Sequence, residues 1–145
     1  MHATRRSRQG GFTLIEIMVV MAIIAMLAAM VGPRLIRQQE KAAVKAAQAQ
    51  VERLGTALDT YRLDMGRYPT TQEGLGALMQ PPGGGGGSRW DGPYLNKDVP
   101  ADPWDNPYQY RSPGAGGRPY DLFSFGADGA PGGDGDNRDI TSWQG

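Results

Sequence analysis

The strongest pattern in the chain is an unbroken apolar stretch over residues 12–31, which contains Glu16 as its one charge. A helix of this length measures about 30 Å, which is the thickness of the hydrocarbon core of a bilayer. Arginines precede the stretch, and the basic flank of a membrane helix tends to stay in the cytoplasm. The pattern therefore predicts a membrane-spanning helix with residues 1–11 on the cytoplasmic side. A secretory signal peptide that is cut near residues 25–29 is the alternative.

A second pattern follows without a turn signal, because apolar residues recur at spacings of three and four up to Gly66. This stripe consists of Val44, Ala47, Val51, Leu54, Leu58, Tyr61 and Met65. Such a narrow stripe is typical of a helix that packs against its own sheet. Pro33 favours a kink but is tolerated in a membrane helix, and Gly66 is a helix stop. The sequence predicts one long helix, with a membrane half over residues 12–33 and an amphipathic half over residues 34–66.

Residues 67–145 are rich in glycine and proline and form the predicted globular region. A threonine followed by an acid in the next turn predicts a short helix through about Met79. The glycine run at 83–87 predicts a loop. Short apolar and aromatic runs between turn residues predict strands at 108–111 and 120–125. We therefore expect an α+β fold, in which the long helix covers one face of a small antiparallel sheet.

Composition excludes several kinds of chemistry. The chain has no cysteine and a single histidine, His2, which precedes the apolar stretch. Disulfides, thiolate zinc sites and the usual histidine-based catalytic triads are therefore not expected. The formal net charge is zero, with acids in excess after Asp91, so no basic footprint for nucleic acid is present. The alternative of a membrane-tethered periplasmic enzyme would need convergent acid and base groups, and we expect no enzymatic activity.

Glu16 is an unusual residue for a membrane helix, because a carboxylate there costs on the order of 3 kcal/mol and normally has a partner or a function. A cut just before Phe12 would create an α-amine, which is the nearest candidate cation. The surrounding residues, GFTLIE from Gly11 to Glu16, follow a short basic segment. A chain that began at Phe12 would therefore supply a partner for Glu16.

This N-terminal pattern resembles the signal of type IV prepilins. The resemblance implies that residues 1–11 are a leader and that a prepilin peptidase cleaves after Gly11. It also implies N-methylation of Phe12, and a role for Glu16 in assembly through the amine of a neighbouring subunit. By the same resemblance, the protein crosses the bacterial inner membrane once.

Three further stretches are similar to the major pseudopilins of type II secretion systems: residues 67–75, 100–108 and 121–129. That family implies a structural subunit that polymerises with copies of itself into a periplasmic filament and drives export of folded proteins. Its expected partners are minor pseudopilins, prepilin peptidase and the inner-membrane secretion platform, and its C-terminal domain lies in the periplasm. A type IV pilin or a minor pseudopilin is the alternative, although a type IV pilin usually carries a C-terminal cysteine pair. Asp105 stands where the family commonly has glycine.

The C-terminal tail combines closely spaced aspartates with glycines. Ca²⁺ takes six to eight oxygen ligands, and glycines let a loop fold around it. By composition alone, a solvated acidic turn explains the tail better than a calcium site does. The resemblance to major pseudopilins implies bound Ca²⁺, with Asp128 and Asp139 as carboxylate ligands and a carbonyl ligand from Phe125. Asp134 or Asp136 would complete the set.

Overall fold

The computed structural model describes residues 10–83 and 89–144. Most of the predicted leader, most of the glycine run and the C-terminal residue lie outside this range. The elements in chain order are helix α1, a 3-10 turn, strand β1, a second 3-10 turn, strand β2, a third 3-10 turn and strand β3. Their bounds are Leu14–Met65, Leu75–Leu78, Gln109–Arg111, Ala115–Gly117, Asp121–Ser124, Gly135–Asn137 and Ile140–Thr141.

Helix α1 has 52 residues and stays helical through Pro33. It ends at Met65, where Gly66 adopts a left-handed conformation with φ of 74°. The N–H of Gly66 donates a hydrogen bond to the carbonyl of Arg62 at 2.8 Å, which is the usual way for a glycine to close a helix. The helix stop that the sequence predicts at Gly66 is therefore confirmed.

The chain divides into two compact units, Met1–Gln38 and Gln39–Gly145. In the described part of the first unit, large apolar side chains are exposed at nearly every position of the helix. They are Leu14, Ile15, Ile17, Met18, Val19, Val20, Met21, Ile23, Ile24, Met26, Leu27, Met30, Val31, Leu35 and Ile36. Consecutive positions point in all directions around a helix, so residues 14–31 are apolar all round, and the described part of this unit has no core of its own.

The second unit buries one face of α1 in a single hydrophobic core. The buried helix residues are Val44, Ala47, Val51, Leu54, Ala57, Leu58 and Tyr61. Met65, the last residue of the predicted stripe, packs against this core while partly buried. Leu78, Tyr108, Leu122 and Ile140 join the same cluster from outside the helix. The amphipathic stripe thus packs within its own unit, as its spacing predicts.

The sheet has three antiparallel strands in the order β1-β2-β3. Tyr110 of β1 lies opposite Leu122 of β2, and Ser124 of β2 lies opposite Ile140 of β3. The two predicted strands are present but shorter at their ends. The sequence pattern misses β3, because a strand of two residues is too short to show alternation.

The predicted short helix after the long one is instead a turn followed by a 3-10 helix. Thr70 and Glu73 cap each other: the Glu73 N–H donates to Thr70 Oγ1 at 3.2 Å, and the Thr70 N–H donates to Glu73 Oε2 at 2.8 Å. Arg67 donates two hydrogen bonds to the Glu73 carboxylate, which lowers the pKa of Glu73 to about 2. Gly74, with φ of 59°, interrupts the helical path before the 3-10 turn begins.

Candidate functional site

The start of α1 carries the residues that the sequence assigns to processing and assembly. Gly11 and Phe12 precede the helix and are exposed, and Phe12 is 79% exposed. A Cβ placed on Gly11 would have no neighbouring atom within 4 Å. Among the described residues, nothing therefore places a steric demand for glycine at this position.

Glu16 has a local contact that sequence reasoning missed. Its N–H donates to Thr13 Oγ1 at 3.3 Å, and Glu16 Oε2 accepts the Thr13 N–H at 3.4 Å. This reciprocal pair is a capping box, and its T-x-x-E signature was readable in the sequence. Within the described residues Glu16 makes no ion pair. Its carboxylate is therefore free of any cation from its own described chain.

The helix beyond this cap is the one element among the described residues that is long and apolar enough to cross a membrane. An 18-residue window within it has a mean hydropathy of 2.8, and none of that window is buried. The predicted span is thus exposed, as are Phe12 and Glu16, the two residues predicted to act in assembly.

The C-terminal loop between β2 and β3 is folded back on itself by backbone contacts. The Ala127 N–H donates to the Asp136 carbonyl at 2.8 Å. Gly126 has φ of 72°, and a Cβ there would lie 2.5 Å from the Asp136 carbonyl oxygen and 2.7 Å from that of Arg138. Only a glycine permits this approach. The start of the loop is therefore held against the segment that precedes Asp139.

The structure places the four predicted acidic ligands in different environments. Asp128 is exposed, and its Oδ1 accepts the Ala130 N–H at 3.1 Å. Asp139 is half-buried, and its Oδ2 accepts the Gly132 N–H at 3.0 Å. Its Oδ1 is buried and has no hydrogen-bond partner among the residues that the structure describes. Asp134 immediately precedes the third 3-10 turn, and Asp136 lies within it. Across the described residues, no three acids lie close enough to hold a metal together.

Sequence reasoning also missed a buried carboxylate on the sheet. Asp121 is fully buried and accepts hydrogen bonds from Arg118 Nε at 2.7 Å, Arg111 at 2.5 Å and the Ala115 N–H at 2.9 Å. The Arg118 hydrogen bond is the main cause that holds the pKa of Asp121 well below its usual 3.8. Arg118 also lies over the Trp143 ring at 4.3 Å. This cluster fastens the β1–β2 connection and the C-terminus.

Comparison with known proteins gives the family. Residues 34–143 match the family described as "Type II secretion system (T2SS), protein G", and residues 6–32 match the "Prokaryotic N-terminal methylation motif". The chain is 46% identical over 140 residues to the type II secretion system core protein G of Pseudomonas aeruginosa, covering 96% of this chain and 98% of that protein. The chain belongs to the type II secretion system protein G family. The family member of Aeromonas hydrophila is 47% identical over 141 residues, covering 96% of this chain and 95% of the relative.

A solved structure agrees with this assignment. The crystal structure of the major pseudopilin from the type 2 secretion system of enterohaemorrhagic Escherichia coli is 36% identical to this protein G family chain. It matches with a TM-score of 0.59 and covers 77% of this chain and 95% of that one. The predicted α+β fold and the resemblance to major pseudopilins are confirmed. Because the family is structural, the chain is a pseudopilus subunit and not an enzyme.

Proposed function

We propose that this subunit is held in the bacterial inner membrane by its N-terminal helix, with its C-terminal domain in the periplasm. Prepilin peptidase cleaves it between Gly11 and Phe12 and methylates the new N-terminus. Processed subunits polymerise with copies of themselves into a periplasmic filament that drives folded proteins across the outer membrane. Minor pseudopilins and the inner-membrane secretion platform are its further partners.

The exposed apolar surface of the first unit, as far as its residues are described, is the observation that carries this proposal. Such a surface is stable only in lipid or against other apolar helices. Lipid tails are as apolar as leucine, so burying the helix in a filament gains little hydrophobic free energy over leaving it in the bilayer. Entry into the filament must therefore depend on close packing and on polar pairing between subunits.

Glu16 is the group in this surface that is suited to such pairing. Its carboxylate has one hydrogen bond, from the Thr13 N–H at 3.4 Å, and no described basic partner. In an apolar setting, an opposite charge from the Phe12 amine of a neighbouring subunit would offset the cost of burying the carboxylate. A subunit that arrives with its own amine would meet Glu16 of the last subunit in the filament.

Two substitutions at Glu16 separate the cap from the charge. Glu16→Gln keeps a capping-box side chain but removes the charge, whereas Glu16→Ala removes both. We expect both variants to insert and to be cleaved, but filament yield and secretion to fall at least tenfold in each. Glu40→Gln, an exposed acid further along the helix, is the matched control and should assemble normally. Normal assembly by Glu16→Gln would show that the residue acts only as a cap.

We also propose that the C-terminal loop binds one Ca²⁺ through Asp128, Asp139 and the carbonyl of Phe125, with Asp134 or Asp136 completing the set. The buried Asp139 Oδ1 supports this site, because a buried carboxylate oxygen without a partner is costly unless an ion or a donor meets it. Carboxylates and carbonyls are the oxygen ligands that Ca²⁺ prefers. When bound, the ion would neutralise the acids of the loop and tie its two ends together.

Thermal unfolding of the mature full-length protein in detergent tests this site. A ligand at 100 times its Kd stabilises a protein by about 2.7 kcal/mol, so calcium should raise the melting temperature clearly above that in chelator. Magnesium should substitute poorly, because it demands a tighter octahedral shell. Asp128→Ala and Asp139→Ala should each remove most of the shift, whereas the exposed Asp91→Ala should keep it. A melting temperature that is the same with calcium and with chelator would leave the loop as a solvated acidic turn.

A further inference from the structure

Asp102 is a buried carboxylate that organises a loop distant in sequence from the proposed calcium site. It is 3% exposed, and its Oδ1 accepts the N–H groups of Trp104 at 3.0 Å and Asn106 at 2.8 Å. Its own N–H donates to the Asn106 carbonyl at 2.9 Å. These bonds close residues 102–106 into a fixed turn.

Ser124, at the end of β2, connects this turn to the C-terminal loop. Its side chain is fully buried, and its hydroxyl donates to Asp102 Oδ2. The hydroxyl oxygen of Ser124 also accepts the Gly126 N–H at 3.1 Å. A hydroxyl is at once a donor and an acceptor, so Ser124 relays the position of Asp102 to the backbone of Gly126.

Asn106 holds the other polar group of the same glycine. Its Nδ2 donates to the Gly126 carbonyl at 3.2 Å. Both backbone groups of Gly126 are therefore bonded to side chains of one short network: Asp102, Ser124 and Asn106. The next peptide is also fixed, because the Ala127 N–H donates to the Asp136 carbonyl at 2.8 Å.

Because the peptide bond is planar, anchoring Gly126 also fixes the direction of the Phe125 carbonyl, which is the proposed calcium ligand. The Gly126 N–H and the Phe125 carbonyl belong to one planar peptide unit, so fixing the direction of one fixes the other. Ser124 thereby sets where the Phe125 carbonyl oxygen points. The contact of Gly126 with the Asp136 and Arg138 carbonyls places this peptide beside the segment that leads to Asp139.

From these contacts we infer that Asp102, Ser124 and Asn106 are positioning residues for the calcium loop, an inference that rests on the calcium site proposed above. They touch no ion themselves. They fix the direction of the Phe125–Gly126 peptide before the ion arrives. Binding then has to order only the acidic side chains of the loop, no three of which lie together in the described residues. This lowers the ordering cost of binding. Loss of such supporting hydrogen bonds around a metal typically weakens affinity about 10- to 100-fold.

Calcium titration of the mature full-length protein in detergent tests this inference. Ser124→Ala and Asn106→Ala should each raise the calcium Kd about tenfold, measured by calorimetry. Asn96→Ala, an exposed asparagine outside the network, should bind calcium with the wild-type Kd. The melting temperature in chelator reports on stability without the ion. A variant can also have a lower melting temperature in chelator. A positioning role predicts that, in addition, the difference between the melting temperatures in calcium and in chelator is smaller in the variant than in the wild-type protein.

The outcomes separate this inference from the calcium site itself. If Ser124→Ala and Asn106→Ala keep the wild-type Kd while their melting temperatures fall equally with calcium and with chelator, the network is only structural and the inference is overturned. If the wild-type protein takes up no calcium, both proposals fail. Wild-type binding that is lost in Asp139→Ala but unchanged in Asn106→Ala and Ser124→Ala overturns the positioning role alone.

Discussion

Leu27 and Leu54 belong to the same helix, yet Leu27 is 58% exposed and Leu54 is 1% exposed. The two leucines represent the two units of the chain. The helix of the first unit is apolar on every side, whereas the helical part of the second unit is apolar on one stripe only. Both leucines lie in the same helix, so the pattern around the helix axis, and not the secondary structure, decides what each segment can pack against.

This difference in apolar pattern means that the two units bury their apolar surfaces against different partners. The second unit satisfies its apolar stripe with its own turn and sheet, through residues such as Leu78 and Leu122. The first unit has nothing in its own described chain that covers it, so lipid or other copies must do so. A substitution should therefore affect folding in the second unit and assembly in the first.

Cleavage is the largest expected effect, and it concerns the first unit alone. Gly11→Val should abolish the proposed processing, because the described fold makes no demand for glycine there and the glycine would serve the peptidase alone. Gly10→Val is the matched control, since a Cβ at Gly10 also meets nothing within 4 Å, and it should be processed normally. Mass spectrometry of assembled wild-type protein should show a chain that begins at Phe12 and carries one extra methyl group. An intact Met1 terminus in filaments would refute the processing.

The leucine pair tests the comparison directly. Leu54→Ala should lower the free energy of unfolding of the second unit by about 2–5 kcal/mol, because it leaves a cavity in a packed core. Leu27→Ala should change that free energy by less than about 0.5 kcal/mol. It should nevertheless reduce filament yield, because it removes packing area between subunits. Thermal unfolding in detergent measures the free energy of unfolding. Equal destabilisation by Leu54→Ala and Leu27→Ala would contradict the division into two units.

Asp121 gives the next largest effect and a dependence on pH. Asp121→Asn should destabilise the second unit by about 1–3 kcal/mol at pH 7, because it weakens the charged hydrogen bonds from Arg111 and Arg118. The pKa of Asp121 is lowered in the folded state, so its contribution is fully present above the unfolded value of 3.8 and is lost as the pH falls below it.

Unfolding measured from pH 7 to pH 2 checks this dependence. The stability gap between wild-type protein and Asp121→Asn should narrow as the pH drops below about 4. Asp91→Asn, an exposed acid, should follow the wild-type curve at every pH. A gap that stays constant down to pH 2 would show that the charge of Asp121 contributes nothing.

The smallest effect is expected at Asp105, the one non-glycine residue with positive φ in the part of the chain described. Its φ of 65° strains an L-residue, and Asp tolerates this conformation only partly. Asp105→Gly should therefore stabilise the second unit by about 0.5 kcal/mol, or a few degrees in melting temperature. Asp105→Ala should destabilise it instead. If glycine lowers the melting temperature, the greater freedom of the unfolded chain outweighs the strain.

Periodicity and residue type by themselves determined most of the architecture. The all-round apolar stretch, the stripe that ends at Met65 and the helix stop at Gly66 are local signals, because each is set by neighbours within a few turns. The N-terminal motif around Gly11 and Glu16 is equally local. The sequence pattern therefore predicted the long helix, its two halves and the family resemblance.

Tertiary structure decided what depends on residues far apart in the chain. Strand β3 exists because Ser124 and Ile140 meet across a loop, and two residues carry no periodic signal of their own. The bond between Ser124 and Asp102 joins positions 22 residues apart, and only the folded chain brings that pair together. A polar residue can be buried only where partners satisfy its hydrogen bonds. A periodic pattern depends on near neighbours alone, so it cannot predict partners that are far apart along the chain.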